Sequence, residues 1–286
     1  MDTLRTIASG VRGNPELLGE REKISVYYHN LFDYPLTFAD LIKWNVSSKI
    51  KLNDSDKIGL GYRRGYYFIS GRENLVYKRT LKERISAKKM QIAAKASQVL
   101  SKLPSVKMVA VTGSLAMANA GEESDIDLML VTKSGWLWTT RILSYFLLKT
   151  FGFAVRRFGE KEQRDKLCLN IWLDEYDLIW KTNDRNTYTA HEICQIVPLI
   201  DKDKIYEKFL LKNKWVKNYW PNAVKIKKIK NTSQKRTNSP IFLEKAAYRL
   251  QFAHMKNKIS REIISPTRAI FHPQDWAKMV LSRFST

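Results

Sequence analysis

Hydrophobic and polar positions divide the chain into stretches of different period. Residues 22–45, EKISVYYHNLFDYPLTFADLIKWN, carry two short helical patterns separated by Pro35 and the cap signal Thr37. The run Tyr66-Tyr67-Phe68-Ile69 is aromatic and β-branched and lies between Gly65 and Gly71, which predicts a strand in a basic hairpin. From about residue 75 to 103, Ile85, Ile92, Ala96, Val99 and Leu103 recur at helical spacing. Lys82, Arg84, Lys88, Lys89 and Lys95 are assigned to the other, solvated face of that long helix, and Pro104 stops it.

Beyond Pro104 the pattern alternates between types. KMVAVTGS predicts a strand, LAMANA a helical turn, DIDLMLVT a second strand and LWTTRILSYFLLKTF a helix, with KLCLNIWL and DLIWK as further strands. Apolar strands covered on both faces make an α/β core with a mixed sheet. The last hundred residues read as helical, in TAHEICQIV, DKIYEKFLLKNKWVKNYW and PIFLEKAAYRLQFAHMKNKI, with a basic linker at about 223–238. The expected organisation is a winged-helix-like module over 1–75, a connecting helix over 76–104, an α/β core over 105–182 and a helical C-terminal region over 183–286. The order helix, helix, basic hairpin carries the winged-helix reading, with the second helix and Arg63-Arg64 as the nucleic-acid contact; a docking module of the same topology is the alternative.

Charge changes this picture. Lysine and arginine number 50 against 28 acids, a formal net charge of +22, which favours polyanionic partners such as nucleotides or nucleic acid. The apolar window at 136–155 contains Arg141 and Lys149 and is interrupted by Gly152, so it predicts a buried helix followed by a strand and no membrane span. Cys168 and Cys194 stand in no metal-ligand spacing and point to a reducing, cytoplasmic setting.

The chemistry concentrates in VAVTGSLAMANAGEESDIDLMLVT. Asp125 and Asp127, two apart on a strand, project from one face and repel each other, so a cation should compensate them. Mg2+ or Mn2+ suits oxygen ligands and shares its remaining positions with water and phosphate, and a pair of such ions can activate an attacking oxygen and stabilise a leaving pyrophosphate. Gly113-Ser114 lies where a strand turns into a helix, allowing close backbone approach to phosphate oxygens.

The pattern apolar-Gly-Ser, ten residues, Asp-apolar-Asp-apolar resembles the nucleotidyltransferase superfamily related to DNA polymerase beta, directly over about 108–130 and through the core to about 181. The resemblance implies transfer of a nucleoside monophosphate from a nucleoside triphosphate (NTP) to an acceptor hydroxyl, with metal ions at Asp125 and Asp127 and phosphates at Gly113 and Ser114. It also implies a third carboxylate on the next strand, where LCLNIWL has Asn170 at its centre and Asp174 at its end. Asparagine cannot act as a carboxylate base. Cys168, Asn170 and Trp172 are expected on the cleft-facing side of that strand, with Leu169, Ile171 and Leu173 on the apolar side. Arg141 and Lys133 are further candidates for phosphate contact, and His191-Glu192 for the wall opposite the metals. The rival readings are a nucleotide- or nucleic-acid-binding protein with an inactive transferase core, and a toxin–antitoxin component.

Overall fold

Helices cover both faces of a mixed six-stranded sheet. The computed structural model describes residues 13–53, 58–157, 159–227, 241–256, 262–271 and 276–285; most of the expected basic linker, from 228 to 238, lies outside these. The N-terminal part runs α1 (Glu20–Asn30), β1 (Leu36–Thr37), α2 (Phe38–Lys43), β2 (Lys51–Leu52), β3 (Leu60–Arg63) and β4 (Tyr66–Ile69). Thr37 and Asp40 form a capping box, each side chain taking the other residue's backbone N–H, which fixes the start of α2. Strands β1, β4 and β3 make a small antiparallel sheet in that order.

The 28-residue α3 (Asn74–Ser101) leads into β5 (Val106–Val111), the single-turn α4 (Gly113–Ala116), β6 (Ile126–Thr132), α5 (Leu137–Thr150) and β7 (Leu167–Asp174). Then come α6 (Thr187–Gln195), β8 (Val197–Asp201), α7 (Ile205–Lys212), α8 (Ile241–Met255), β9 (Ile263–Ser265), β10 (Arg268–Ile270), α9 (Trp276–Leu281) and β11 (Phe284–Ser285). The large sheet has the order β8-β5-β6-β7-β10-β9, with β6 and β7 parallel and all other neighbours antiparallel.

Two expectations need correction here. The region after 182 is not simply helical, because β8, β9 and β10 supply half of the sheet and β11 pairs with β2. These strands are two to five residues long and carry little periodicity, so hydrogen-bonding partners remote in sequence decide their state. DLIWK forms no strand: Leu178 is buried and the Leu178 and Ile179 carbonyls accept from Asn213 and Arg268 side chains, which takes them out of any ladder.

Alternation along the central strands splits the core in two. Val109, Val111, Leu128 and Leu130 pack under α3 and α5, around Ala96, Leu100 and Trp138. Met108, Ala110, Met129 and Val131 pack under α6 and α7, and the same cluster takes in Ile24, Tyr28 and Trp44 from the N-terminal part and Val280 and Phe284 from the C-terminus. The N-terminal elements therefore share a core with the sheet. Inside that core His29 Nδ1–H donates to the Ser25 carbonyl, which leaves Nε2 to accept from His191 Nε2–H on α6, 3.1 Å away.

Candidate active site

The site forms where β5 turns into α4 and where the parallel strands β6 and β7 begin. Gly113 opens α4 with φ +61, a conformation natural to glycine. Space forces the same choice: a Cβ at this position would lie 2.6 Å from Asp127 Oδ2. Ser114 follows and is exposed. Asp125 ends the preceding loop and Asp127 is the second residue of β6.

That loop is held from behind by α3. Lys89, expected on the solvated basic face, is instead only 2 % exposed, and its Nζ donates to the carbonyls of Glu122 and Ser124 and to Asp165 Oδ1. Three acceptors compensate the burial of its charge. One turn earlier Ser86 Oγ accepts from the Ala120 backbone N–H. The approach to Asp125 is thereby fixed at both ends.

Register brings Asp127 opposite Cys168 on β7. Asp125, Asp127 and Cys168 offer ligand atoms all within 4.8 Å of one another. Two residues on, Asn170 Nδ2 donates to Asp127 Oδ1 at 2.7 Å. The expected alternation along β7 does not hold. Pairing passes from Leu128–Leu169 to Met129–Ile171, so Asn170 is an extra residue in a bulge. Beyond it the faces exchange: Leu169 and Trp172 lie in one core, Ile171 and Leu173 in the other. Trp172 thus leaves the cleft side, while Asn170 and Cys168 stay with the aspartates. Because the amide nitrogen is committed to a carboxylate, the Asn170 Oδ1 is left as the acceptor, and it is buried without a hydrogen-bond partner.

Charge in this cluster is uneven. Burial, aided by the Asp125 charge, pushes the Asp127 carboxyl up to about 7. Burial and then the two aspartates push the Cys168 thiol far up, so it stays protonated. Arg156 supplies the compensating cation: its Nη1 is 2.6 Å from Asp125 Oδ2, and it also bonds Cys168. On α6, burial and then the Asp127 charge raise the Glu192 carboxyl to about 8, while Gln195 Nε2 donates to it at 2.7 Å.

The remaining candidates lie elsewhere. Asp174 sits at the far end of β7, accepting from the Gly135 and Tyr176 backbone N–H groups. Lys133 follows the far end of β6, about 20 Å along the strand from Asp127 at 3.3 Å per residue. Arg141 donates to Gln251 and stacks on Tyr145 and Phe271, over the opposite face of the sheet from Asp127. His191 turns into the core toward His29, whereas its neighbour Glu192 is electrostatically linked to Asp127, since adjacent helical residues point about 100° apart.

Sequence reasoning missed Arg156 and, although it placed Cys168 on the cleft-facing side of β7, gave that thiol no part in the site. The first lies in the basic pair of VRRF, and the second reads as a lone cysteine until the strand pairing is known. The family comparison agrees with the geometry. A family model described as a nucleotidyltransferase domain matches residues 93–238. The chain belongs to this family. The match begins within α3 and runs past β8 and α7. No curated protein matches the chain. No described helix is long and apolar enough to cross a membrane, the apolar window at 136–155 being the 14-residue α5 followed by a turn.

Proposed function

We propose that the protein transfers a nucleoside monophosphate from an NTP to an acceptor hydroxyl, using Mg2+ or Mn2+. The observation that carries this reading is the contact of Gly113 with the Asp127 carboxylate, where a backbone without a side chain meets paired acids. Asp127 Oδ1 is held by Asn170, and Oδ2 faces Gly113. That arrangement leaves the carboxylate in one orientation beside the turn that would receive phosphates.

The donor set fits a hard divalent cation. Asp125 and Asp127 give carboxylate oxygens, and the orphaned Asn170 Oδ1 gives a third. The protonated Cys168 thiol is too soft to compete for such an ion. When bound, the metal would neutralise phosphate charge and polarise the phosphoryl oxygens. The chain's own residues then bind and orient: Gly113 and Ser114 at the phosphates, Asn170 at the Asp127 carboxylate. Glu192, electrostatically linked to Asp127 and held by Gln195, is the residue in this reading placed to take the acceptor's proton once its carboxyl is ionised.

A polyanion-binding surface on the N-terminal elements belongs to the same reading. Arg63 and Arg64 at the β3–β4 turn share a cleft with Asn74 and Tyr77 at the start of α3, and Lys78, Arg84, Lys88 and Lys95 continue along the exposed face of that helix. The helix α1, the helix α2 and the later β3–β4 hairpin support a winged-helix-like reading, and this surface suits nucleic acid. The unpaired thiols Cys168 and Cys194 accord with a reducing, cytoplasmic compartment.

Calorimetric titration with Mg2+ and a non-hydrolysable NTP tests the site. Wild type should bind saturably, and the Asp125→Ala/Asp127→Ala variant at least tenfold more weakly. Equal affinity in the two proteins overturns the assignment. Should the nucleotide bind and no labelled product form with any hydroxyl acceptor, the nucleotide-binding alternative with an inactive core stands, as the amide at Asn170 favours.

A further inference from the structure

Resting on the nucleotidyl-transfer reading, we propose that this site works with one divalent cation, and that the Arg156 guanidinium permanently occupies the place of a second. Three observations lead there. First, Arg156 is seated on Asp125 at 2.6 Å, in the middle of the candidate metal cluster, and Asp125 is only 12 % exposed. Arg156 is 29 % exposed, so the pair is partly shielded from water and its attraction is somewhat stronger than that of a fully exposed ion pair. Second, the position that would supply a further carboxylate is Asn170, whose amide donates to Asp127. Third, the remaining member of the cluster among the described residues is Cys168, whose sulfur is too soft to replace a carboxylate as a ligand for a hard divalent ion.

Counting formal charges decides between one ion and two. Asp125 and Asp127 contribute two negative charges and Arg156 one positive, leaving one negative charge on the cluster. One divalent ion on Asp127, the Asp125 oxygen that Arg156 does not hold, Asn170 Oδ1 and the nucleotide phosphates satisfies it. A second ion would have to share Asp125 with a guanidinium already bonded to it, about 3.5–4 Å from the first ion. The position that would supply a third carboxylate, and with it the negative charge to offset that repulsion, is an amide. Arginine suits the vacated role, since it is always charged and its planar fork can hold Asp125 and a phosphate oxygen together.

The position of Arg156 supports a fixed role. Its backbone N–H donates to the Leu167 carbonyl, and the neighbouring Val155 forms a parallel bridge to Leu167 at the start of β7. The residue is thus anchored beside the strand that carries Cys168 and Asn170, so no large loop movement brings the guanidinium to Asp125.

Counting bound Mn2+ tests the proposal without relying on turnover. Protein and a non-hydrolysable ATP analogue at equal concentration, well above the dissociation constant, are titrated with Mn2+, and free ion is read by electron paramagnetic resonance. Wild type should bind one ion per ternary complex, with no spin coupling. Arg156→Ser/Asn170→Asp should bind two ions with the broadened signal of a close pair, and Arg156→Lys, which keeps the charge, should remain at one. Two coupled ions in wild type overturn the proposal, as does a folded double variant that still binds only one. The wild-type count stands by itself if the double variant fails to fold. Absence of nucleotide binding in wild type overturns both this inference and the transferase reading, whereas nucleotide binding with two ions overturns the inference alone.

Discussion

At the scale of single residues, one glycine and one asparagine set the site. Gly113 has both a positive φ and no room for a methyl group, whereas Gly71 has a positive φ and open space, with nothing within 4 Å of where a Cβ would stand. The two positions separate strain from contact. Both Gly71→Ala and Gly113→Ala should lose about 1–2 kcal/mol from the left-handed backbone alone. Only Gly113→Ala should also displace the Asp127 carboxylate and weaken Mg–NTP binding, by about tenfold or more. Thermal unfolding together with calorimetric titration of the two variants checks this. Unchanged nucleotide affinity in Gly113→Ala would show that Asp127 does not depend on that contact.

At the scale of elements, the joint between α1 and α6 is a buried histidine pair. Burial lowers His29 to about 4 and His191 well below its ordinary value. Asp40, Arg79 and Lys43 are the charges acting on His29, and Lys43 also disfavours the charged form of His191. Trp44 stacks on His191 at 4.1 Å, and Tyr28 and Trp220 close the pocket. An unfolded chain takes up protons on these rings below about pH 6.5, and the folded chain refuses them until about 4. Their contribution is therefore fully present above 6.5 and is lost as pH falls toward 4. Asp127 and Glu192 act in the opposite direction, because their raised folded values favour the folded state at acid pH and lose that effect as pH rises toward 7 and 8. The histidine part is isolated by comparison. Urea unfolding at pH 5 and pH 7 should give a gain in stability with pH that is larger, by a few kcal/mol at most, in wild type than in His29→Gln/His191→Leu. Equal pH dependence in both would mean that the pair is not held neutral by the fold.

At the scale of the whole molecule, charge predicts the partner. The net charge is +22, and the exposed cations Lys78, Arg84, Lys88 and Lys95 recur along one face of α3 with Arg63 and Arg64 at its start. Contacts to phosphates release counterions, so binding to RNA or duplex DNA in filter assays should weaken at least tenfold between 50 and 200 mM salt. Arg63→Gln/Arg64→Gln/Lys88→Gln should flatten that dependence. Undetectable binding at low salt would leave the N-terminal elements as a docking module.

The sequence by itself determined the make-up of the candidate site. Gly113, Asp125 and Asp127 lie within fifteen residues, and a strand's period of two is enough to put the two acids on one face. It also determined the long α3 and the apolar central strands, because their signals are local and sustained over many residues. Tertiary structure alone decided what depends on pairing across distance. The Asn170 bulge is a property of the β6–β7 register, and it reversed the faces of Ile171 and Trp172. Lys89 has the sequence look of a surface lysine, and only the carbonyls of Glu122 and Ser124, brought beside it by the fold, make its burial possible. Arg156 reaches Asp125 from a segment 31 residues away. Electrostatic partners of this kind leave no periodic trace in the chain, since a charge can be compensated by any group that the fold carries to it.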